Sequence, residues 1–432
     1  MSRTIEAGTV KRALSAHAAI GLIAGALLYL VSLTGTVAVF YAELQRIEQP
    51  DVPEMTAIAP EAVQNGVEHA LKQPSGNAPT THLYVHMPVE DLPRATITTD
   101  NDAWHLDIDG NIAMPEEIAW SDFLVALHYT LNLPALVGIT IVGILGVMML
   151  ALSLSGVVAL PRIFRDAFRL RARSPGGVAL ADWHNRLSVW TLPFGVAIAL
   201  TGALIGLATV TAYGIAASDY GGDVAAVYEP IFGGEPAGDD APAPAPDVAA
   251  ALRYMARHYP QVEPSYAILH DPLTRGQHIQ IVGLHDKRLI FGEYYSFDAS
   301  GNFKGTAGLS DGDWGQQAAA STYQLHFGTF GGIWVKIAYA LFGAALTAVC
   351  ATGTYIWLGK RRRRGFDEPS LRAMWNGVII GAPVALAISF AGRLAIGNTA
   401  PLVAIFWVSY ALCIGLSLVI GRRAAVPPHL RG

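Results

Sequence analysis

Residues 17–35 read HAAIGLIAGALLYLVSLTG, and residues 184–202 read HNRLSVWTLPFGVAIALTG. In each stretch a histidine opens a long apolar run, and a Thr-Gly pair begins 17 residues later. Two further histidines follow a second pattern, with Leu before and an aromatic after: Leu127-His128-Tyr129 and Leu325-His326-Phe327. They lead to Ser155-Gly156 and Thr352-Gly353, 27 and 26 residues on. His17, His128, His184 and His326 therefore divide the chain into two similar halves.

Composition sets the class. Of 432 residues, 52% are hydrophobic and only 15% charged; soluble domains carry about 25% charged residues. Six runs are long enough for a hydrocarbon core of about 30 Å: 17–41, 134–160, 187–212, 333–358, 374–396 and 400–421. The expected fold is an all-α membrane bundle of six transmembrane helices with two small extracytoplasmic α+β domains and an internal duplication. Lys11-Arg12 precede an apolar run too long for a cleaved signal, so the first span is expected to remain uncleaved. Cys350 and Cys413 both lie in apolar runs, which excludes a disulfide framework and a four-thiolate cluster.

Basic residues fix the expected orientation. Residues 161–173 carry five Arg and one Asp, and Lys360 to Arg364 are five basic residues in a row. Arg3, Lys11 and Arg12 precede the first span; Arg422 and Arg423 follow the last. All fall on one side, which places both termini in the cytoplasm of a bacterial inner membrane. Segment 42–120 has 14 acidic residues against 3 basic, and segment 213–320 has 14 against 6. Both belong on the outer side.

The resulting division is 1–41 lead and first span, 42–120 first outer domain, 121–160 second span, and 161–183 basic loop. Then follow 184–212 third span, 213–320 second outer domain, 321–358 fourth span, 359–373 polybasic loop, 374–421 hairpin of two spans, and 422–432 tail. Pro50, Pro53, Pro60 and Pro74 interrupt the chain after the first span. In the first outer domain a helix is expected over 60–72 and strands over 82–87, 95–99 and 103–108, with Asp109-Gly110 as a turn. The second repeats this order, with a helix over 247–258 and strands over 265–270, 277–283 and 288–297. The Ala/Pro run 241–246 reads as a linker. Pro134 is expected to kink or restart the second span. The repeat spans about 1–173 and 174–364.

Histidines at membrane depth are costly and read as functional. His17 and His184 open outward-going spans, so both lie near the inner face; His128 and His326 lie near the outer face. Each pair can supply two imidazoles to one haem iron, and imidazole suits iron. Zinc would need more ligands than two histidines; Asp122 and Asp182 lie close in sequence but form no constellation. An interfacial histidine bonded to backbone is the bland alternative for each ring. Without C-x-x-C-H, the expected cofactors are two non-covalent haem b. Gly21, Gly25, Gly138, Gly143, Gly195, Gly328, Gly331 and Gly332 are positioned to open or tighten helix contacts near the ligands. The Thr/Ser-Gly pairs fall by depth near the opposite haem, and plain helix packing explains them equally. Lys11, Arg12 and Arg186 inside, and Tyr129, Trp314, Tyr323 and Lys336 outside, are available to haem propionates. Arg393 is placed to snorkel. His82 and His86 share one face of a strand; with the other outer histidines they read as surface residues.

The ordered set His17…Thr34-Gly35, Leu127-His128, Trp183-His184-Asn185…Thr201-Gly202, Leu325-His326-Phe327-Gly328 and Thr352-Gly353…Trp357 resembles the PepSY-associated transmembrane family. That family includes iron-regulated inner-membrane proteins and periplasmic ferric-siderophore reductases. The resemblance covers about residues 8–364, and the two outer segments look like PepSY-type domains. It implies a di-haem b electron conduit that reduces Fe(III) held by a siderophore, with His17, His184, His128 and His326 as ligands. The hairpin 374–421 goes beyond the family's four-span pattern. No G-x-G-x-x-G fingerprint follows a strand, so a quinol or a separate cytoplasmic reductase is the expected electron donor. Membrane lipid is a partner, nucleic acid is not, and no catalytic residue is assigned. Rival readings are reduction of another periplasmic or quinone acceptor, transport of siderophore, iron or haem, and a binding module that restrains a protease.

Overall fold

In lipid a backbone must satisfy its own polar groups, so the long apolar runs fold as helices. The computed structural model describes residues 6–73, 79–173, 177–234, 236–285, 287 and 289–425. Arg3, Pro74, Arg288 and residues 426–432 of the expected tail lie outside them.

The chain runs α1 (Ala7–Ala38), α2 (Tyr41–Glu48), α3 (Pro60–Lys72), β1 (His82–His86), β2 (Thr96–Thr99), β3 (Ala103–Leu106) and β4 (Ile112–Pro115). Next come α4 (Ala119–Thr130), α5 (Ala135–Ala159), α6 (Val178–Trp190), α7 (Leu192–Asp219), α8 (Val224–Phe232) and α9 (Val248–His258). Strands β5 (Glu263–His270), β6 (His278–Leu284), β7 (Glu293–Asp298) and β8 (Phe303–Thr306) follow, then α10 (Trp314–Phe327), α11 (Gly332–Arg363), α12 (Pro369–Ile396) and α13 (Leu402–Ala425). Among the described residues, six helices are long and apolar enough to cross a membrane: α1, α5, α7, α11, α12 and α13. The chain is a multi-pass membrane protein.

One compact unit comprises residues 1–41, 119–207 and 336–432. Its centre is Ala24, Leu28, Leu145, Met149 and Ala199, from α1, α5 and α7. There α5 and α7 touch backbone to backbone: a Cβ on Gly143 would lie 2.8 Å from the Gly206 carbonyl carbon, and one on Gly206 2.6 Å from Gly143 Cα. Small residues permit that approach, and close packing substitutes for the absent hydrophobic drive between helices. The hairpin α12–α13 is bound to the rest by polar bonds. Trp120 Nε1 donates to Ser389 Oγ (3.0 Å), Trp375 Nε1 to Ala351 O (3.0 Å), and Tyr29 Oη to Ile379 O (2.8 Å). Arg393 is buried in this unit, which corrects its expected snorkelling.

The histidines sit differently from expectation in one respect. His17 lies within α1, but His128 and His184 lie on short helices that stop before the span begins. Pro134 ends the α4 segment as its spacing predicts: Leu131 and Asn132 turn to φ 55° and 54°, and α5 restarts behind the proline. The third span breaks at Thr191, between α6 and α7.

The second unit comprises residues 42–118 and 208–335. Its strands form one antiparallel sheet in the order β4-β3-β2-β1-β5-β6-β7-β8. This corrects the expectation of two separate domains: β1 and β5, the inner edges of two meanders, pair over His82–His86. Unpaired edges invite such joining, because each presents a row of free N–H and C=O groups. The helices are joined as well. Gln64 of α3 accepts from the Val248 backbone N–H at the start of α9 (2.9 Å), and Arg253 reaches Glu61 (2.7 Å). Val63, Val67, Leu83, Val85, Leu269, Ile279, Ile281 and Phe297 then form a single core.

Each meander contains the same turn. Asp107 accepts from the backbone N–H of Asp109 and Asn111 around Gly110 (φ 81°), and Asp298 from Ser300 and Asn302 around Gly301 (φ 74°). Strands β4 and β8 were not anticipated; each has only four residues and exposes every second one. The Ala/Pro run is tied down, not free: Pro242 bridges Thr274, and Gln277 Nε2 donates to Pro244 O (2.7 Å).

The single sheet makes a direct prediction. Tyr84 and Ile268 are cross-strand partners, about 4.5–5.5 Å apart at Cα, within disulfide range. In a background lacking Cys350 and Cys413, Tyr84→Cys with Ile268→Cys should cross-link under mild oxidation. Mass spectrometry should recover the linked peptides; two independent sheets would give none.

Candidate functional site

Three of the four histidines belong to the membrane unit, and each presents Nδ1 to an oxygen on another helix. His17 Nδ1 lies 3.0 Å from Leu152 O and 3.2 Å from Ser155 Oγ on α5. His128 Nδ1 lies 3.0 Å from Val31 O and 3.4 Å from Thr34 Oγ1 on α1. His184 Nδ1 lies 2.9 Å from Thr352 Oγ1 on α11.

These partners fix the tautomer. A carbonyl only accepts, so Nδ1 of His17 and His128 carries the proton. Thr352 already donates its hydroxyl hydrogen to Ala348 O (2.8 Å), so it too accepts from the ring. In the neutral form all three rings keep their lone pair on Nε2, the form that binds metals.

The glycine of each pair completes the clasp. A Cβ on Gly35 would lie 2.6 Å from His128 Cε1, one on Gly156 3.3 Å from His17 Cε1, and one on Gly353 3.6 Å from His184 Cε1. The Thr/Ser-Gly pairs are therefore more than packing residues. Helices α1 and α5 exchange them reciprocally: His17 of α1 rests on Ser155-Gly156, and His128, just before α5, rests on Thr34-Gly35. Thr201 makes the same intrahelical hydroxyl bonds, to Ala197 O (2.7 Å) and Ile198 O (3.2 Å). His326 lies near the C-terminal end of α10, in the other unit, and Gly328 follows in the left-handed region (φ 68°).

The structure brings His17 and His184 together. Their ring centres are 6.5 Å apart with the planes crossed at 88°. Two collinear metal–imidazole bonds of about 2.0 Å, each with about 1.2 Å from nitrogen to ring centre, separate the centres by ~6.4 Å. Among the described residues no hydrogen bond engages Nε2 of either ring. Nor does any group of three or more His, Cys, Asp or Glu stand ready to hold a metal ion.

Other candidates are placed elsewhere. Asp182 is engaged by Arg171 through paired 2.8 Å bonds, and Asp122 accepts from Tyr41 Oη (3.1 Å). Arg186 is buried with its guanidinium near Ile163 O (3.4 Å). Two positions from His184, it falls on another face of the helix. Lys336 is buried, whereas Tyr129, Trp314 and Tyr323 are exposed.

The outer histidines are not all surface residues. His105 is buried, bonded to Thr96 Oγ1 (3.0 Å) and Gln49 Oε1 (3.0 Å). His270 is buried and stacks on His278 at 4.2 Å. Burial, then Arg94 for His105 and His278 for His270, pushes both down to about 4.

Two predictions follow from these contacts. Gly35→Ala should push the His128 ring aside and cost about 1–3 kcal/mol of stability, whereas Gly353→Ala, at ordinary contact distance, should be near neutral; thermal unfolding in detergent compares them. Because His105 and His270 are held neutral in the fold, the unfolded chain takes up protons first. The stability they contribute is complete above pH of about 6.5 and is lost as pH falls toward about 4. Unfolding of the sheet should move to lower temperature across that window, and His270→Gln should flatten the slope.

The chain is 27% identical over 252 residues to Uncharacterized protein PA4219 of Pseudomonas aeruginosa, covering 56% of this chain and 64% of that protein. The match thus spans less than two thirds of that relative's length. The sequence profile of the PepSY-associated TM region matches residues 14–360, a stretch that includes all four histidines and their Thr/Ser-Gly partners. The protein belongs to the PepSY-associated transmembrane family.

Proposed function

We propose that this protein is a di-haem b electron-transfer protein of the bacterial inner membrane that reduces ferric siderophore on its outer side. The observation that carries the reading is the inner pair. The ring centres of His17 and His184 are 6.5 Å apart, close to the ~6.4 Å that two imidazoles on one iron would need, and Nδ1 of each ring is bonded to another helix. A two-imidazole set suits haem, whose macrocycle supplies the remaining four ligands. When bound there, haem b supplies one-electron redox chemistry.

His17 and His184 would hold the inner haem. His128, with its ring fixed by Val31 O and Thr34, would supply one ligand of the outer haem. His326 is the second by the repeat in the sequence, which gives each haem one ligand from 1–173 and one from 174–364. The helix-then-four-strands order of the outer unit follows the same duplication, and its two halves are read as PepSY-type modules.

Charge supports the orientation. The sheet-bearing unit carries 28 acidic residues against 9 basic, and the membrane unit 6 against 20. Basic residues favour the cytoplasmic side, so the acidic unit faces outward, where it meets the ferric chelate. Electrons enter from a quinol or from a separate cytoplasmic reductase. Iron released as Fe(II) binds oxygen-rich chelators less tightly, which is the gain from reduction.

A reduced-minus-oxidised spectrum with a haem count tests the assignment. Wild type should hold two haem b, and His17→Ala or His184→Ala should each lose about half. The dithionite-reduced protein should be reoxidised by a ferric siderophore. Haem-free wild type, or reduced protein that no ferric siderophore reoxidises, would sink the proposal.

A further inference from the structure

We propose that Ser155-Gly156 and Thr352-Gly353 are positioning residues that hold the two inner imidazoles with crossed planes and so set the electronic character of the inner haem. The inference rests on the haem reading above and goes beyond it. It assigns a role to pairs that ligate nothing.

Each ring is held on one edge by two contacts. For His17 these are the bonds from Nδ1 to Leu152 O and Ser155 Oγ, and the approach of Cε1 to Gly156. For His184 they are the bonds to Thr352 Oγ1 and to the Val349 backbone carbonyl, and the approach to Gly353. An acceptor at Nδ1 and a bare backbone at Cε1 leave the ring little freedom to turn about its Nε2 axis. The two clasps stand on different helices, α5 and α11. The angle between the rings, 88°, is therefore set by how those helices stand around α1 and α6 and not by either ligand alone.

The angle has a spectroscopic consequence. An imidazole donates π density into the iron d orbital perpendicular to its plane. Parallel ligands load the same orbital and split the pair; crossed ligands load one each and leave them nearly degenerate. Ferric low-spin haem then gives a strongly anisotropic EPR signal with one large g value, where parallel ligands give a rhombic signal. The hydrogen bond at Nδ1 also makes each imidazole a stronger donor, which lowers the reduction potential.

EPR of the oxidised full-length protein in detergent tests this, with potentiometry and a haem count alongside. Wild type should show a strongly anisotropic low-spin signal. Thr352→Val keeps the volume and removes the hydroxyl, leaving the Val349 carbonyl as the remaining acceptor for His184. It should retain both haems, convert that signal toward the rhombic type, and raise one midpoint potential. Thr352→Ser should restore both readouts. Ser155→Ala should act in the same direction on the other ring, since His17 too is left with only its backbone acceptor, Leu152 O. Should Thr352→Val fail to accumulate, Thr352→Ala supplies the same comparison. Two rhombic signals in wild type, or a valine variant with unchanged EPR and potential, would overturn the positioning role while leaving the haem assignment intact. Haem-free wild type would overturn both.

Discussion

An imidazole N–H packed between helices needs an acceptor, and here another helix supplies it. That single requirement organises the membrane unit. Nδ1 of His17 and His128 is met by a carbonyl one helical turn before a Ser/Thr-Gly pair, and that of His184 by the pair's own hydroxyl. The hydroxyl next to each ring donates back into its own helix, so it costs the helix no acceptor, and the glycine gives the ring room. Satisfying the buried donor also fixes which nitrogen is left to bind a metal. Structural and chemical demands are met by the same contact.

The close crossing of α5 and α7 at Gly143 and Gly206 serves the same end. It holds two helices at backbone contact. The hairpin α12–α13 adds a flank, bonded through the indole N–H groups of Trp120 and Trp375 and the hydroxyl of Tyr29. Polar anchors of this kind fix position where apolar surfaces against lipid cannot.

The sheet-bearing unit solves a different problem. Each meander alone would have an open edge and a half-covered face. Pairing β1 with β5, and capping α9 with Gln64 from α3, removes the edge and merges two small cores into one. Larger cores bury a greater share of their surface, which favours one domain over two of about half the size.

Span positions, the helix break at Pro134, the polar turns at Gly110 and Gly301 and the four histidines were legible in the sequence because each depends on local chemistry: hydropathy, missing N–H groups, backbone freedom and titratable side chains. The repeat in spacing told which histidines correspond. What only the tertiary structure decided were relations between distant segments. That the two outer segments share one sheet depends on edge pairing, which leaves no mark in either strand's own pattern. That Ser155-Gly156 lies against His17 and Thr352-Gly353 against His184 depends on which helices meet and at what angle. A hydroxyl and a glycine in an apolar helix read alike whether they pack or clasp; the neighbouring ring makes the difference.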